Sequence, residues 1–240
     1  DEALSKYWAS LGDIFVLDAF GSAHRCHAST YGISKYLPSY SGFLVDNEVS
    51  MLDKAIHQRK TLILGGAKVD DKIGVIDNLI NTSDNILLGG AMCFTFLKAS
   101  GVNVGESIVS DDKIRYAKSL LDTHGNKIIL PIDVVTNDGV KDVTNIGNSG
   151  IGYDIGPKTI NKYKELLINS KLILWNGPLG ICELEKFSVG TEKIAEAIAS
   201  VKATSVVGGG DSVAAIKKLG LEDNFTHIST GGGASLELLE

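Results

Sequence analysis

The sequence predicts a doubly wound α/β fold: a Rossmann-like parallel sheet of about six strands flanked by helices, with the remnant of a second α/β domain. Short β-rich runs alternate with helical patterns along the 240 residues, which is the arrangement of strand–helix–strand units. The runs are apolar on both faces, as expected for parallel strands covered by helices on each side. Clustered glycines follow several runs, so backbone is expected to approach a ligand there.

The elements follow in order. The apolar runs predict seven strands, at 14–17, 61–64, 85–88, 127–130, 171–175, 205–207 and 227–229. The helical patterns predict eight helices, at 2–11, 42–58, 70–81, 91–100, 111–124, 158–169, 188–200 and 212–219. Two stretches, 18–41 and 136–157, do not follow the alternation of strands and helices. The second is so rich in turn residues that we expect an excursion from the sheet.

Helix 42–58 separates the first strand from the other six and is therefore the expected connection between two domains. The predicted organisation is 1–41 as the end of an N-terminal domain, 42–58 as a hinge helix and 59–240 as a nucleotide-binding domain.

Composition excludes several classes of protein. Hydrophobic residues make up 44% and charged residues 22%, which is typical of a globular chain. The net charge of −6 and the lack of a basic run argue against nucleic acid or an anionic membrane as the main partner. No apolar stretch approaches the ~18 residues that a membrane span needs. The three cysteines lie far apart, so we expect a reducing compartment, the cytoplasm, rather than a disulfide framework.

The first chemical motif is GGAKVDDK, which follows strand 61–64. Its lysines, Lys68 and Lys72, are four residues apart and share a face if the helical turn is continuous. Two ammonium groups beside a helix N-terminus make an anion site. The alternative is that both lysines are solvated surface residues, but the preceding glycines favour a function.

The stretch SVVGGGDS, residues 205–212, joins a strand to a helix through three glycines. It departs from the dinucleotide-binding fingerprint because a valine stands where a third spaced glycine or alanine is expected, and it lacks the Gly-Lys-Ser/Thr of a P-loop. Taken alone, Asp211 is best interpreted as a helix N-cap. A functional interpretation requires a cation between this acid and a phosphate.

Three further stretches are candidates. HISTGGGAS, residues 227–235, is a second strand–glycine–helix junction, and neighbouring junctions of this kind direct helix N-termini into one crevice. LWNGPLGICELEKF, residues 174–187, is either a plain tight turn or a site in which Glu183 or Glu185 binds a ribose hydroxyl. In AFGSAHRCH, Arg25 is an anion clamp or a structural ion-pair partner, whereas the spacing fits no closed zinc site.

Together these stretches resemble the phosphoglycerate kinase family. The resemblance rests on seven segments in the family's order: DAFGSAHRCHAS, LILGGAKVDDKIGVIDNL, GGAMCFTFLK, DIGPKT, LWNGPLGICELEKFSVGT, VVGGGDSVAA and HISTGGGASLELLE. It implies a hinged, two-domain, monomeric kinase of glycolysis and gluconeogenesis. Such a kinase transfers a phosphoryl group between 1,3-bisphosphoglycerate and ADP, giving 3-phosphoglycerate and MgATP.

The resemblance also implies roles for residues at the transferred group. Arg25 matches the arginine that contacts the triose phosphate, and Lys68 and Lys72 match lysines at the transferring phosphate. Gly232 and Gly233 match the helix N-terminus that faces the transferred group.

The nucleotide site implied by the resemblance has two parts. Its cleft is matched by Gly66, Gly90, Asn176, Pro178 and Glu183, with Glu183 at the ribose. Its phosphate and magnesium loop is matched by Gly209, Gly210, Asp211 and Ser212, with Asp211 as the ligand of Mg²⁺.

The sequence departs from the family pattern in places. Leu17 stands where asparagine is usual, Cys182 replaces a usual phenylalanine, and Met92 and Cys93 lie in the nucleotide strand–helix turn. The family's N-terminal half-domain, with most of its basic 3-phosphoglycerate site, is absent from these 240 residues, as is its terminal segment.

We therefore expect this chain to bind MgADP or MgATP with little turnover. The main alternative is a non-catalytic nucleotide-binding fragment or interaction protein that retains the fold. An NAD-dependent dehydrogenase is disfavoured by the missing third glycine.

Overall fold

The computed structural model describes residues 1–67 and 69–240. The strands of this part of the chain are β1 Phe15–Leu17, β2 Ser39–Ser41, β3 Lys60–Leu64, β4 Ser83–Leu88, β5 Ile128–Ile129, β6 Asp133–Thr136, β7 Gly139–Asp142, β8 Gly152–Ile155, β9 Leu172–Asn176, β10 Thr204–Gly208 and β11 His227–Ile228. Its α-helices are α1 Glu2–Ala9, α2 Phe20–Ala23, α3 Phe43–His57, α4 Ile73–Leu79, α5 Met92–Ala99, α6 Ile114–His124, α7 Pro157–Ile168, α8 Val189–Ser200, α9 Gly210–Lys218 and α10 Gly233–Leu239.

Six strands form one parallel sheet in the order β11-β10-β9-β3-β4-β5, which confirms the predicted fold class. The register aligns the carboxyl ends of the central strands. Leu64 pairs with Leu88 on one side and with Asn176 on the other, and Asn176 pairs with Gly208. The glycine turns after these strands therefore meet at one edge of the sheet.

Helices cover both faces of this sheet, because successive strand residues point to opposite sides. Leu62 and Leu64 pack into one hydrophobic cluster with α3, α4, α5, α6 and α10. Ile63 and Trp175 pack into the other cluster with α7, α8 and α9. This two-sided burial explains why the strands appear as continuous apolar runs in the sequence.

The predicted excursion at 136–157 is ordered. Strands β6, β7 and β8 form a separate antiparallel sheet in the order β7-β6-β8. The sequence analysis did not predict these strands, because glycine, asparagine and aspartate dominate the stretch.

The irregular stretch 18–41 contains α2, a π-helical turn at Ala28–Gly32, and β2, which pairs in parallel with β1. No described helix is long and apolar enough to cross a membrane. The proposed domain boundaries at 41 and 58 stay a prediction.

Candidate functional site

The glycine turns at the carboxyl edge of the sheet interlock through backbone hydrogen bonds. The N–H of Gly65 donates to the carbonyl of Asn176 (3.0 Å), and that of Gly66 donates to the carbonyl of Pro178 (2.8 Å). A Cβ at Gly65 would lie 2.0 Å from the Pro178 carbonyl oxygen, so the turn after β3 needs glycine to approach the turn after β9. The N–H of Gly90 donates to Leu179 (2.8 Å), which adds the turn after β4.

A cavity of about 290 Å³ opens beside these turns. Five of its lining residues belong to the predicted nucleotide-binding set: Gly66, Gly90, Pro178, Glu183 and Asp211. The other lining residues are Ala67, Ala91, Ile108, Ile151, Gly152, Tyr153, Gly180 and Ile181. The cavity is thus mostly apolar, with two carboxylates, and the structure brings together groups that are 145 residues apart in the chain.

Sequence reasoning missed the wall formed by β8 and Ile108. The sequence around β8 gives little indication of a strand, because its many turn residues are typical of a loop. The folding of the three-stranded sheet, in which β6 contacts α7 and β8 contacts α8, brings Ile151, Gly152 and Tyr153 to the cavity.

Lys72 and Asn176 form a buried pair at the same edge. The Nζ of Lys72 donates to Oδ1 of Asn176, and both side chains are buried. Burial lowers the pKa of the Lys72 ammonium, although Asp71 and Glu240 partly oppose this. Among the described residues, the buried Nδ2 of Asn176 has no hydrogen-bond partner. This amide therefore has a donor available for an acceptor such as a phosphate oxygen.

The N-terminus of α9 corrects the interpretation of Asp211 as an N-cap. Gly209 occupies the cap position with φ +90°, a conformation suited to glycine, and Asp211 lies exposed in the first turn. The hydroxyl of Ser212 is buried and has no partner within the part of the chain that the structure describes. The helix thus begins with backbone N–H groups, an available hydroxyl and an exposed carboxylate.

This donor set fits a magnesium ion carried by a nucleotide. Mg²⁺ prefers oxygen ligands and is usually held by one or two carboxylates together with phosphate oxygens and water. Residues 1–67 and 69–240 contain no group of three His, Cys, Asp or Glu side chains that could hold a metal ion by themselves. Asp211 is the carboxylate that could complete a phosphate-bound ion.

The second glycine junction lies beside Arg25. Gly232 has φ +53° at the cap of α10, and a Cβ at Gly233 would be 3.5 Å from Nε2 of His24. The same Nε2 is 3.5 Å from Nε of Arg25, whose side chain is exposed. Arg25 and the start of α10 are therefore neighbours, and their roles at the transferred group stay a prediction. Lys68, the other predicted phosphate ligand, lies outside the described residues.

Glu48 is a further polar residue that the sequence analysis missed. Its carboxylate, fully buried on α3, contacts Nε2 of His227 (2.8 Å) and accepts hydrogen bonds from the N–H (2.7 Å) and hydroxyl (2.8 Å) of Thr230. Burial alone would raise the pKa of this carboxyl, but the hydrogen bonds from Thr230 and His227 lower it overall. Its helical spacing with Val45, Leu52 and Ala55, which are all buried, is the signal that could have found it.

Comparison with known proteins identifies similar chains over the full length of this one. A family model described as "Phosphoglycerate kinase" matches residues 1–240. Phosphoglycerate kinases from Pseudothermotoga lettingae and Fusobacterium nucleatum are 50% and 51% identical to it, covering 100% of this chain and 64% of their own length. The chain thus spans less than two thirds of the curated relatives it matches.

Solved structures give the same result. The phosphoglycerate kinase structure from Coxiella burnetii superposes with a TM-score of 0.92 at 37% identity, covering 100% of this chain and 65% of that one. The structure from Pyrococcus horikoshii superposes with a TM-score of 0.90 at 33% identity, covering 99% and 65%.

Proposed function

Because the chain belongs to the phosphoglycerate kinase family, we propose that it forms the nucleotide-binding part of a kinase that transfers a phosphoryl group between 1,3-bisphosphoglycerate and ADP. The observation that carries the proposal is the cavity at the carboxyl edge of the sheet, where Gly66, Gly90, Pro178, Glu183 and Asp211 converge. Ligands of open α/β sheets bind at this edge. A cytoplasmic location and a monomeric state are expected from the same family membership.

The cavity suits the nucleoside end of ADP. Its apolar lining accepts the flat base, and Gly66, at which a Cβ would meet nothing within 4 Å, leaves the adjoining space open. Glu183 lies exposed at the cavity, where its carboxylate would accept hydrogen bonds from ribose hydroxyls.

The phosphate end of the nucleotide would lie at α9. Backbone N–H groups at Gly209 and Gly210 are donors at a helix N-terminus, where the helix dipole also favours an anion. The buried donors of Ser212 and Asn176 and the ammonium of Lys72 lie at the same edge of the sheet. Negative charge beside Lys72 would stabilise its protonated form against the cost of burial.

Mg²⁺, when bound to the phosphates, would neutralise part of the charge that develops during transfer. Asp211 would hold the ion through a carboxylate oxygen. In the forward reaction the bond between the acyl oxygen and phosphorus breaks as an oxygen of the β-phosphate of ADP bonds to that phosphorus. Phosphoryl transfer depends on positioning and electrostatics. The groups proposed to position the transferred phosphoryl group and to neutralise its charge are Arg25, Lys68, Gly232 and Gly233.

Titration calorimetry with MgADP tests the proposal. We expect saturable binding that Asp211→Ala weakens about tenfold or more with Mg²⁺ present, and much less with ADP in EDTA. Asp223→Ala, which removes an exposed acid beyond the end of α9, is the matched control. Absence of saturable binding, or equal loss with and without Mg²⁺, would contradict the proposal.

The second candidate is a nucleotide-binding protein without transfer activity. It has the same nucleotide cavity and lacks only the transfer step. Both candidates predict MgADP binding, and only a kinase predicts that transfer appears when the rest of a relative is supplied.

A further inference from the structure

Asp154 is a buried acid that the nucleotide site described above does not use. It lies in β8 and is 3% exposed. The N–H of Gly190, at the start of α8, donates to its Oδ2 (2.7 Å), and the N–H of Ile155 donates to its Oδ1 (2.8 Å). Each carboxylate oxygen thus accepts a backbone hydrogen bond, and one of these bonds crosses from the three-stranded sheet to α8.

The carboxylate rests against two glycines. A Cβ at Gly180 would lie 2.2 Å from Oδ1 of Asp154, and a Cβ at Gly190 would lie 2.3 Å from the same oxygen. Any larger residue at either position would displace the acid. The backbone of 180–190 is therefore shaped around the Asp154 side chain.

A second contact joins the same two parts of the chain. The ring of Tyr153, the residue before Asp154, stacks on the ring of Phe187 with centroids 4.5 Å apart and planes 29° apart. Gly152 and Tyr153 line the cavity from β8, and Gly180, Ile181 and Glu183 line it from the segment that contacts Asp154. The two contacts thus connect two walls of the cavity.

We propose that Asp154 is a positioning residue that fixes the wall formed by β8 against the wall formed by 180–190, and so sets the width of the cavity for the nucleoside part of the ligand. The inference rests on the proposed function, which places a nucleotide there. Only a carboxylate satisfies both N–H groups. An asparagine in its place would direct an amide N–H at one of the two backbone donors.

The charge state of Asp154 supports this role. Burial raises the pKa of the carboxyl to about 7, and the nearby acid Glu192 contributes in the same direction. Glu192 lies on α8 and is paired with Lys218 (2.9 Å), and the thiols of Cys182 and Cys93 also lie near the carboxylate. Above neutral pH both oxygens accept hydrogen bonds, and below it a proton occupies one of them.

Asp154→Asn tests the proposal, with calorimetry against MgADP and against magnesium pyrophosphate, which has phosphates but no nucleoside. We expect the variant to bind MgADP about tenfold more weakly and pyrophosphate within about twofold of the wild type. As pH drops from about 8 to 6, the preference for MgADP over pyrophosphate should fall more in the wild type than in the variant, in which only the ligands' own phosphates titrate. Asp138→Asn, which changes an exposed acid in the turn between β6 and β7, is the control.

The outcomes separate this inference from the proposed function. A wild type that does not bind MgADP contradicts the proposed function. A wild type that binds, with an unchanged Asp154→Asn or with equal losses for both ligands, overturns the role of Asp154. If circular dichroism shows that Asp154→Asn is unfolded, Phe187→Leu loosens the same two walls through a half-buried ring. Unchanged MgADP binding by that variant also overturns the proposal.

Discussion

Lys60 is a buried lysine whose ammonium has neutral hydrogen-bond partners. It lies at the start of β3, and its Nζ donates to the Ile56 carbonyl (3.1 Å) and to the Thr82 hydroxyl (2.6 Å). Burial lowers the pKa of Lys60 from 10.5 to about 8, with Asp84 opposing the change and Arg59 adding to it. The charged form of this side chain therefore costs free energy in the folded protein.

We expect Lys60→Met to raise the free energy of unfolding at pH 7 by about 1 to 3 kcal/mol, since the difference between 10.5 and about 8 corresponds to about 3 kcal/mol. The sign follows from the lower folded pKa. The cost is fully present below pH 8 and is relieved as pH rises from about 8 to 10.5, so the advantage of the variant should shrink over that range. Urea unfolding from pH 7 to about 10.5 measures it.

Lys171→Met is the control for this change, because Lys171 lies at the same edge of the sheet with its side chain exposed. It should leave stability within about 0.5 kcal/mol of the wild type. A destabilised Lys60→Met, or an advantage that does not change with pH, would contradict the argument.

Helix α3 packs into the hydrophobic core, and a buried carboxylate also joins it to β11 and to the loop before α10. Glu48 contacts His227 of β11 and Thr230 in the loop that leads to Gly232 and Gly233. The glycine junction that adjoins Arg25 is thus anchored to α3 through Glu48. This helix is the one that the sequence predicts as the connection between domains.

We expect Glu48→Gln to lower the free energy of unfolding by about 1 to 3 kcal/mol at pH 7, because one buried hydrogen-bonding group loses its partner. The folded pKa of Glu48 is lowered, so its ionised form stabilises the protein above pH 4.5 and this contribution disappears as pH falls through the folded value. The free energies of unfolding of the wild type and of Glu48→Gln should therefore become equal at acid pH. Urea unfolding at pH 7 and about pH 3 tests this.

Asp53→Asn, an exposed acid on the same helix, is the matched control. It should follow the wild type at both pH values. A Glu48→Gln protein as stable as the wild type at pH 7 would show that the contacts of α3 with Thr230 contribute little.

The difference between local and distant contacts explains how much of these elements the sequence could predict. The strands of the main sheet and the glycine turns were predictable, because an apolar run followed by glycines is a local pattern. The helical spacing of Glu48 indicates its burial, but its partners His227 and Thr230 could not be predicted, because they are 179 and 182 residues away. The same applies to Asp154, which meets Gly190 across 36 residues, and to Tyr153, which shares the cavity with residues of the glycine turns only in the folded chain.

At the scale of the whole molecule, the first 44 residues carry a large exposed apolar surface. Its members are Leu4, Tyr7, Trp8, Leu11, Ile14, Val16, Tyr31, Tyr36, Tyr40, Phe43 and Leu44. Phe43 alone is 92% exposed. Strands β1 and β2 form only a two-stranded parallel sheet of three residues each, an arrangement that is marginal unless other elements cover it. We expect this concentration of exposed apolar side chains in one segment to be an interaction site.

The part of the relatives that this chain does not match is the expected partner of this surface. The chain spans 64% of the length of the Pseudothermotoga lettingae relative, so about a third of that protein has no counterpart in these 240 residues. We expect the 240-residue chain alone to bind MgADP and to transfer phosphoryl groups far more slowly than a complete relative. Adding the unmatched part of the relative as a separate polypeptide should restore transfer, because it would bury the exposed apolar surface and supply the opposite side of the cleft.

A coupled assay of ATP formation from 1,3-bisphosphoglycerate and MgADP, with each polypeptide alone and with both together, measures this restoration. Phe43→Ser and Trp8→Ser should weaken association without changing MgADP binding by the 240-residue chain, because neither side chain lines the cavity. Val140→Ser, an exposed apolar residue of the three-stranded sheet, is the control. Phosphoryl transfer at a normal rate by the 240-residue chain alone would contradict the expected requirement for the unmatched part. Association without transfer would favour the non-catalytic candidate, since the surface would then be complete while the chemistry was absent.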